Sequence, residues 1–289
     1  MTKLITAVSL ILINFLFGQQ DLIKIENKKH LQFADSLFNN ENYFNAITEY
    51  KRLIFLFPTK ENQFIGNYKI ALSYKAGGFF DLAENYLHNS LKYVINTDQI
   101  FSIKIELLKL YILKNDTDKI NLILQELISR KDFVQYNQEI KYWMAISLIF
   151  SKDYSKASRI LKELNKSEND FKKYSIDLLK MIDSVNFNVK NENTYKFASA
   201  ILPGMGQILL GKYSEGIFTF LWNAYWLGLS ILQFNMGHSL EGITILVLPF
   251  FRFYLGNIEN TEKIVQEYNN VHHKNLLKYL QEKYKGPKP

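Results

Sequence analysis

The chain contains no cysteine, so it can form no disulfide, no thiolate metal site and no lipidated N-terminal cysteine. It also lacks the G-x-S-x-G and H-E-x-x-H patterns, and its five histidines do not have metal-ligand spacing. Carboxylates such as Glu84 and Glu106 are expected on solvent faces of helices. We therefore expect a protein that is not an enzyme, with no cofactor, no metal and no small-molecule substrate.

A dense block of like charge is also missing. The net charge is +7, but 35 basic residues are interspersed with 28 acidic ones throughout the chain. Nucleic-acid-binding proteins usually gather their lysines and arginines into a patch or stripe. This distribution argues against a nucleic-acid partner and leaves proteins and membrane lipid as the expected partners.

Charge disappears altogether from one part of the chain. Between Glu215 and Glu241 there is no Asp, Glu, Lys or Arg, and residues 216–234 are almost wholly apolar and aromatic. That length is close to the ~20 residues that a helix needs to cross a bilayer. Two further apolar segments flank it, at 197–211 and 240–258. The pattern predicts a membrane-embedded helical module.

The two flanking segments are both interrupted. Pro203 and Gly204 break the first, which could be a short tilted span, a half-depth re-entrant segment or an interfacial helix. Pro249 and Arg252 interrupt the third. An ionisable residue inside a span is a functional candidate, but Arg252 is near the segment's end, where we expect it to snorkel to the headgroups. Residues 259–285 follow as an amphipathic helix that packs on the preceding domain or lies along the membrane.

The start of the chain has the layout of a secretory signal. One lysine precedes an apolar core, and Gly18 precedes the expected cut, although an uncleaved anchor is the alternative. The domain that follows would then lie outside the cytoplasm, in the periplasm of a bacterial envelope. Two spans would leave an uncharged loop on the cytoplasmic side, against the positive-inside tendency. Three spans remove that conflict, so three are slightly favoured over two.

Between these regions the sequence repeats with a period of 37 residues. The same kinds of residue recur at five positions in four copies. Three of these sets are Ala34, Ala71, Leu108 and Ala145; Ala46, Ala83, Ile120 and Ala157; and Tyr50, Leu87, Leu124 and Leu161. A fixed period of this size indicates a solenoid of helix pairs.

The order of small and aromatic residues in the first copy, with Pro58 at its end, resembles the tetratricopeptide repeat. Copies one, two and four match best, whereas the third departs at Leu108, Thr117 and Ile120. The repeats would occupy 27–63, 64–100, 101–137 and 138–174, followed by a capping helix up to 190.

The resemblance implies that the first helices of the repeats hold a protein partner in a groove. The residues expected to line it are Leu31, Phe38, Tyr68, Leu72, Ile105, Ile112, Tyr142, Ile146 and Ile149. They are mostly apolar. A groove for a partner segment and a simple core role are left open as alternatives.

A second resemblance lies in the apolar module. The residues L-P-G-M-G-Q and a later R-F-Y-L-G-N are similar to the landmarks of an uncharacterised bacterial membrane-domain family with a P-G-x-G-Q motif. The matching residues are Pro203, Gly204, Gly206, Gln207, Gly211, Gly216, Arg252, Tyr254, Gly256 and Asn257. The resemblance implies location and architecture but no activity, and we expect these residues to serve helix packing.

The sequence therefore predicts an all-α protein. It would comprise a signal peptide (1–18), a tetratricopeptide-like solenoid (27–190), a small transmembrane module (195–258) and an amphipathic C-terminal helix (259–285). The expected function is that of a non-catalytic, membrane-anchored scaffold of the cell envelope. The alternative is a component that assists membrane-protein insertion or envelope transport through its membrane hairpin.

Overall fold

The structure, a computed structural model, describes residues 24–166, 168–186 and 189–289. The expected signal peptide lies outside these residues. The described chain is helical and contains no strand, which confirms the all-α prediction. It divides into two compact units, which we call the repeat unit and the C-terminal unit. The repeat unit comprises the described residues up to Ser175 together with Pro287–Pro289, and the C-terminal unit comprises Ile176–Gly286.

The repeat unit is a succession of helices that each pack against the next. They are α1 (24–39), α2 (Tyr43–Leu56), α3 (Lys60–Ala76), α4 (Phe80–Ser90), α5 (Thr97–Lys114), α6 (Thr117–Ser129), α7 (Asn137–Phe150) and α8 (Tyr154–Asn165). Two short 3-10 segments, Leu91–Tyr93 and Lys131–Tyr136, precede α5 and α7. The boundary between the units falls inside α9 (Lys172–Asn186), ahead of the composition change near residue 191.

The turns inside the helix pairs repeat with the period read from the sequence. Glu41, Gly78, Asn115 and Lys152 lie 37 residues apart, and each has a positive φ, between 54° and 81°. In each turn the next backbone N–H donates to the carbonyl five residues earlier, at 2.9–3.0 Å. This is the hydrogen bond of a Schellman motif, which ends a helix through one left-handed residue. The 37-residue period is therefore a property of the backbone as well as of the sequence.

The recurring side chains form the interior of the repeat unit. Every residue in the three sets given above is at most 8 % exposed. In copies one, two and four, alanine at two of these positions lets paired helices approach closely, and the larger third residue fills the space between them. The periodic residues thus fix how each helix pair packs.

The C-terminal unit contains the apolar segments. Its helices are the end of α9, then α10 (Glu192–Ile201), α11 (Met205–Leu209), α12 (Tyr213–Asn235), α13 (Ser239–Ile245) and α14 (Phe251–Glu282). A π-helical turn, Leu246–Phe250, joins α13 to α14, so the chain is continuously helical from Ser239 to Glu282. Pro249 lies in that turn, where the longer hydrogen-bond spacing accommodates its missing N–H. The predicted boundary between residues 258 and 259 is therefore interior to one helix.

Among the residues that the structure describes, two helical stretches are long and apolar enough to cross a membrane, Tyr213–Asn235 and Ser239–Glu282. Only 11 % and 6 % of their most apolar windows are buried, so these side chains do not form the core of a soluble domain. The first apolar segment, 197–211, is divided at Leu202–Gly204 into α10 and the short α11. It contains no continuous helix of spanning length, and the number of crossings stays a prediction.

Candidate functional site

The nine residues expected to line a groove fall into two groups. Five are at most 3 % exposed and belong to the interior of the repeat unit: Ile105, Ile112, Tyr142, Ile146 and Ile149. For these five the core alternative is the one that the structure supports. The Tyr142 hydroxyl also donates to the carbonyl of Pro287 at 2.6 Å, within the same unit. None of the five offers a side chain to a partner.

The other four, Leu31, Phe38, Tyr68 and Leu72, are half-buried. Leu31 and Phe38 pack against a buried cluster that includes Ala34 and Tyr50. Tyr68 stacks on Phe64 with the ring centroids 5.8 Å apart. These side chains have one apolar face in the core and another at the surface. They are the part of the predicted groove that a partner could still reach.

A buried carboxylate lies on the same set of helices. Glu106 of α5 is only 7 % exposed, so the expectation that it faces solvent is wrong. Its two oxygens accept from Lys75 of α3 and Lys109 of α5, each at 2.6 Å. Lys109 also lies 4.6 Å above the ring of Trp143. Burial acts to raise the pKa of Glu106, but the attraction of the two lysines outweighs it and holds that pKa below 4.5.

Glu84 of α4 makes a second such cluster. Its oxygens accept from Lys119 at 2.6 Å, Tyr111 at 3.0 Å and Lys114 at 3.1 Å, so three helices meet at one carboxylate. The side chain is only 15 % exposed, which also contradicts the solvent-face expectation. Burial acts to raise its pKa, but these donors outweigh it and lower the pKa. Each carboxylate joins its own helix to at least one neighbouring helix.

The repeat unit also contains an apolar pocket that the sequence reasoning did not predict. It has a volume of about 560 Å³ and is lined from α6, α7 and α8 by residues that include Ile120, Leu124 and Leu148. Thr117 is at its edge, where the other copies have Tyr43, Phe80 and Tyr154. The signal that could have revealed the pocket is this loss of an aromatic ring in the third copy.

In the C-terminal unit the motif residues meet in a buried hydrogen-bond network. Asn257 Oδ1 accepts from Gln207 Nε2 at 2.8 Å and from the Gly204 backbone N–H at 3.2 Å. Asn257 Nδ2 donates to the carbonyl of Ser199 at 3.1 Å. Gln207 and Ser199 are fully buried and Asn257 is 4 % exposed. One amide side chain of α14 therefore binds both α10 and α11.

Two residues that the sequence reasoning missed complete this network. Ser199 Oγ lies 2.7 Å from Thr261 Oγ1 and 3.3 Å from Gln207 Oε1, and it accepts from the Gly206 N–H at 3.0 Å. Thr261 Oγ1 donates to the carbonyl of Asn257 at 2.9 Å. Neither residue stands out in the sequence, because a serine or threonine within a helix is ordinary. Their role follows only from the packing of α10 against α14.

Three of the five motif glycines, Gly204, Gly206 and Gly216, are required by close approach of neighbouring atoms. Gly204 has φ 89°, and a Cβ there would collide with the carbonyl of Gly216. A Cβ on Gly216 would lie 2.6 Å from the carbonyl of Gly204. Gly206 is enclosed by Ser199, Thr261 and the backbone of Tyr195. The short helix α11 is thus held against α10, α12 and α14 at distances that only glycine allows.

The remaining motif residues are placed differently. Pro203 is half-buried in the break between α10 and α11, and Gly211 supplies a positive φ of 81° in the turn before α12. Gly256 faces open space, so packing does not require it. The hydroxyl of Tyr254 donates to the carbonyl of Ala200. Arg252 is exposed and lines a cavity of about 550 Å³ between α12 and α14.

In the part of the chain that the structure describes, no three or more acidic or histidine side chains lie close enough together to hold a metal ion. No protein-family model matches the sequence, and no curated protein matches it significantly. The function is therefore argued from the residues themselves.

Proposed function

We propose that this protein is a non-catalytic scaffold anchored in a membrane of the bacterial cell envelope, whose tetratricopeptide-like repeats bind a protein partner at the membrane surface. The observation that carries the proposal is the pair of long helices whose apolar side chains are exposed. Exposed apolar surface of this extent is stable in lipid and is a liability in water. The proposed orientation places the repeats on the periplasmic side.

The repeats support the binding half of the proposal. Glu84 and Glu106 are engaged in ion pairs with lysines, and these pairs join neighbouring helices. The partly exposed apolar residues of the repeat unit, such as Tyr68 and Leu72, offer the kind of anchor on which a partner segment docks. A surface with a few apolar anchors suits recognition of a protein.

The alternative proposal is a direct role of the membrane hairpin in inserting membrane proteins or in envelope transport. The observation that favours it is Arg252, a charge within an apolar segment. Charges in such positions frequently mark a functional site.

Photo-crosslinking in intact cells separates the two. A photoreactive residue replaces Tyr68 in the full chain, and the control replaces Glu61, an exposed residue of the same helix. The scaffold proposal expects a discrete protein adduct from position 68 that is absent from position 61. Adducts that form only from exposed α12 positions such as Leu221, and contain newly made membrane proteins, would support the alternative instead.

Flotation of the full chain with lipid vesicles, followed by alkaline carbonate extraction, tests the anchoring itself. An anchored protein floats and stays with the lipid at high pH. Release into the soluble fraction would refute the membrane half of the proposal.

A further inference from the structure

The cavity between α12 and α14 has walls of two different kinds. Its apolar walls are the aromatic side chains of Phe218, Trp222 and Phe253. Trp222 meets Phe253 edge to face with ring centroids 5.6 Å apart, so these walls are held in place by aromatic packing. Its polar residues are Thr219 and Asn223 of α12 and Arg252, Asn257 and Asn260 of α14. The volume of about 550 Å³ is in the range of small-molecule binding sites.

Arg252 has no hydrogen-bond or ion-pair partner among the described residues, unlike Lys196 and Lys212 of the same unit, which pair with Glu262 and Glu215. No aspartate or glutamate lines the cavity. Placing an unpaired guanidinium in a membrane segment costs free energy. The planar guanidinium can donate two parallel hydrogen bonds to the oxygens of a phosphate or carboxylate. The cavity therefore has a net charge of +1 that an anionic group would neutralise.

We propose that this cavity binds the headgroup of an anionic phospholipid of the phosphatidylglycerol class. Arg252 holds the phosphodiester, and the aromatic walls pack on the apolar part of the lipid. The inference rests on the proposed insertion of α12 and α14 into a membrane, because only there does the cavity face lipid.

The single positive charge of the cavity favours binding of this headgroup over a zwitterionic one. Ethanolamine or choline would bring a second cation close to Arg252, and the cavity has no carboxylate to balance it. The ring of Trp222 could attract such a cation, but a cation–π contact contributes about 0.5–2 kcal/mol and is opposed by the repulsion between the two cations. A phosphodiester whose headgroup carries no cation neutralises Arg252 without adding a second positive charge.

The test measures binding of short-chain lipids to the full-length protein in a neutral detergent by isothermal titration calorimetry. Dihexanoyl phosphatidylglycerol, phosphatidylethanolamine and phosphatidylcholine are compared below their critical micelle concentrations. We expect at least tenfold tighter binding of the phosphatidylglycerol. Equal binding of the three lipids would overturn the headgroup assignment, and full competition by inorganic phosphate would show a site for free anions.

Substitutions inside and outside the cavity test where on the protein the lipid binds. Arg252→Gln should weaken phosphatidylglycerol binding about tenfold. Arg252→Lys should weaken it less, because lysine keeps the positive charge but cannot donate two parallel hydrogen bonds. The matched control is Lys263→Gln, which removes one exposed basic charge of α14 outside the cavity. Unchanged affinity in Arg252→Gln, or an equal loss in Lys263→Gln, would refute the site.

Failure of the headgroup site is distinguishable from failure of membrane anchoring. A protein that floats with phosphatidylcholine vesicles but shows no preference among lipids is anchored and lacks the site. A protein that does not float with any vesicle would remove the basis of both proposals.

Discussion

Replacing Gly206 with alanine should destabilise the C-terminal unit more than its single added methyl group suggests. The new Cβ would lie 2.6 Å from Thr261 Cγ2, 2.6 Å from the carbonyl oxygen of Tyr195, and in collision with Ser199 Oγ. The Tyr195 oxygen belongs to the backbone of α10 and cannot rotate away. Relief therefore requires α10 and α11 to move apart, and that movement stretches the network at Asn257.

The cost can be worked out from two contributions. Overpacking a close-packed site costs about 1–3 kcal/mol. Movement of Ser199 also weakens the 3.0 Å hydrogen bond from the Gly206 N–H, and a buried donor left unpaired costs about 1–3 kcal/mol. Together these give roughly 2–6 kcal/mol. At about 2–4 °C per kcal/mol for a chain of this size, the expected fall in Tm is on the order of 10 °C.

Thermal unfolding in detergent, followed by circular dichroism and by loss of the monodisperse peak, measures that fall. Gly228→Ala is the matched control, because a Cβ on Gly228 meets no atom within 4 Å and the residue lies inside α12. In that variant, alanine's higher helix propensity should leave Tm unchanged or slightly higher. Equal Tm values for the two variants would refute the packing argument for the motif.

Three further predictions concern the repeat unit and are all measured by chemical or thermal unfolding. The pKa of Glu106 is held below 4.5, so its ion pairs stabilise the fold above that pH and this contribution is lost as the pH falls through the folded-state pKa. Glu106→Gln should cost about 2–4 kcal/mol at pH 7 and flatten the acid limb of the stability curve, and an unchanged acid limb would contradict the ion-pair role. Lys152→Gly should stabilise by about 0.5–1 kcal/mol because Lys152 has φ 65°, whereas a loss of stability would show that the side chain matters more than the backbone. Thr117→Phe should raise Tm by filling the edge of the 560 Å³ pocket, and a lower Tm would show that the pocket cannot admit the ring.

The sequence period identified the recurring residues, such as Ala34, Ala46 and Tyr50, and the structure buries them and their counterparts in the other copies. Small residues recurring at a fixed spacing can only be explained by a repeated close approach of helices. The exposed fraction of individual apolar residues was harder to predict. Ile146 and Leu72 are both apolar residues on first helices, yet one is 1 % exposed and the other is half-buried. Burial of such residues depends on what the neighbouring helices contribute, and a single-sequence pattern does not contain that information.

The burial of charged residues was equally hard to predict from the sequence, as the two carboxylates show. Glu106 and Glu84 fall at positions where a helix wheel places solvent, but lysines from adjacent helices enclose them. Their partners are up to 35 residues away in sequence, as with Lys119 and Glu84. Local periodicity cannot anticipate such pairs.

Proline misled the interpretation of the C-terminal region. Pro249 and the charges after residue 258 indicated a break and a separate tail helix. The π-helical turn at Leu246–Phe250 lets the helix continue past the proline instead. The motif was more informative, because Gly204, Gly206, Gln207 and Asn257 do converge in one network. Ser199 and Thr261, which complete it, are too common in type and position to be recognised without the structure.

The continuity of α14 connects the hydrogen-bond network to residues far from it. From Asn257, where the network attaches it to α10 and α11, the helix runs uninterrupted to Glu282, a distance of about 37 Å at 1.5 Å per residue. Val265, Leu276 and Leu280 along that length are buried, so the same helix that holds the motif also supplies packing at its far end. One asparagine side chain thus fixes the start of a helix whose remaining turns are held by apolar contacts.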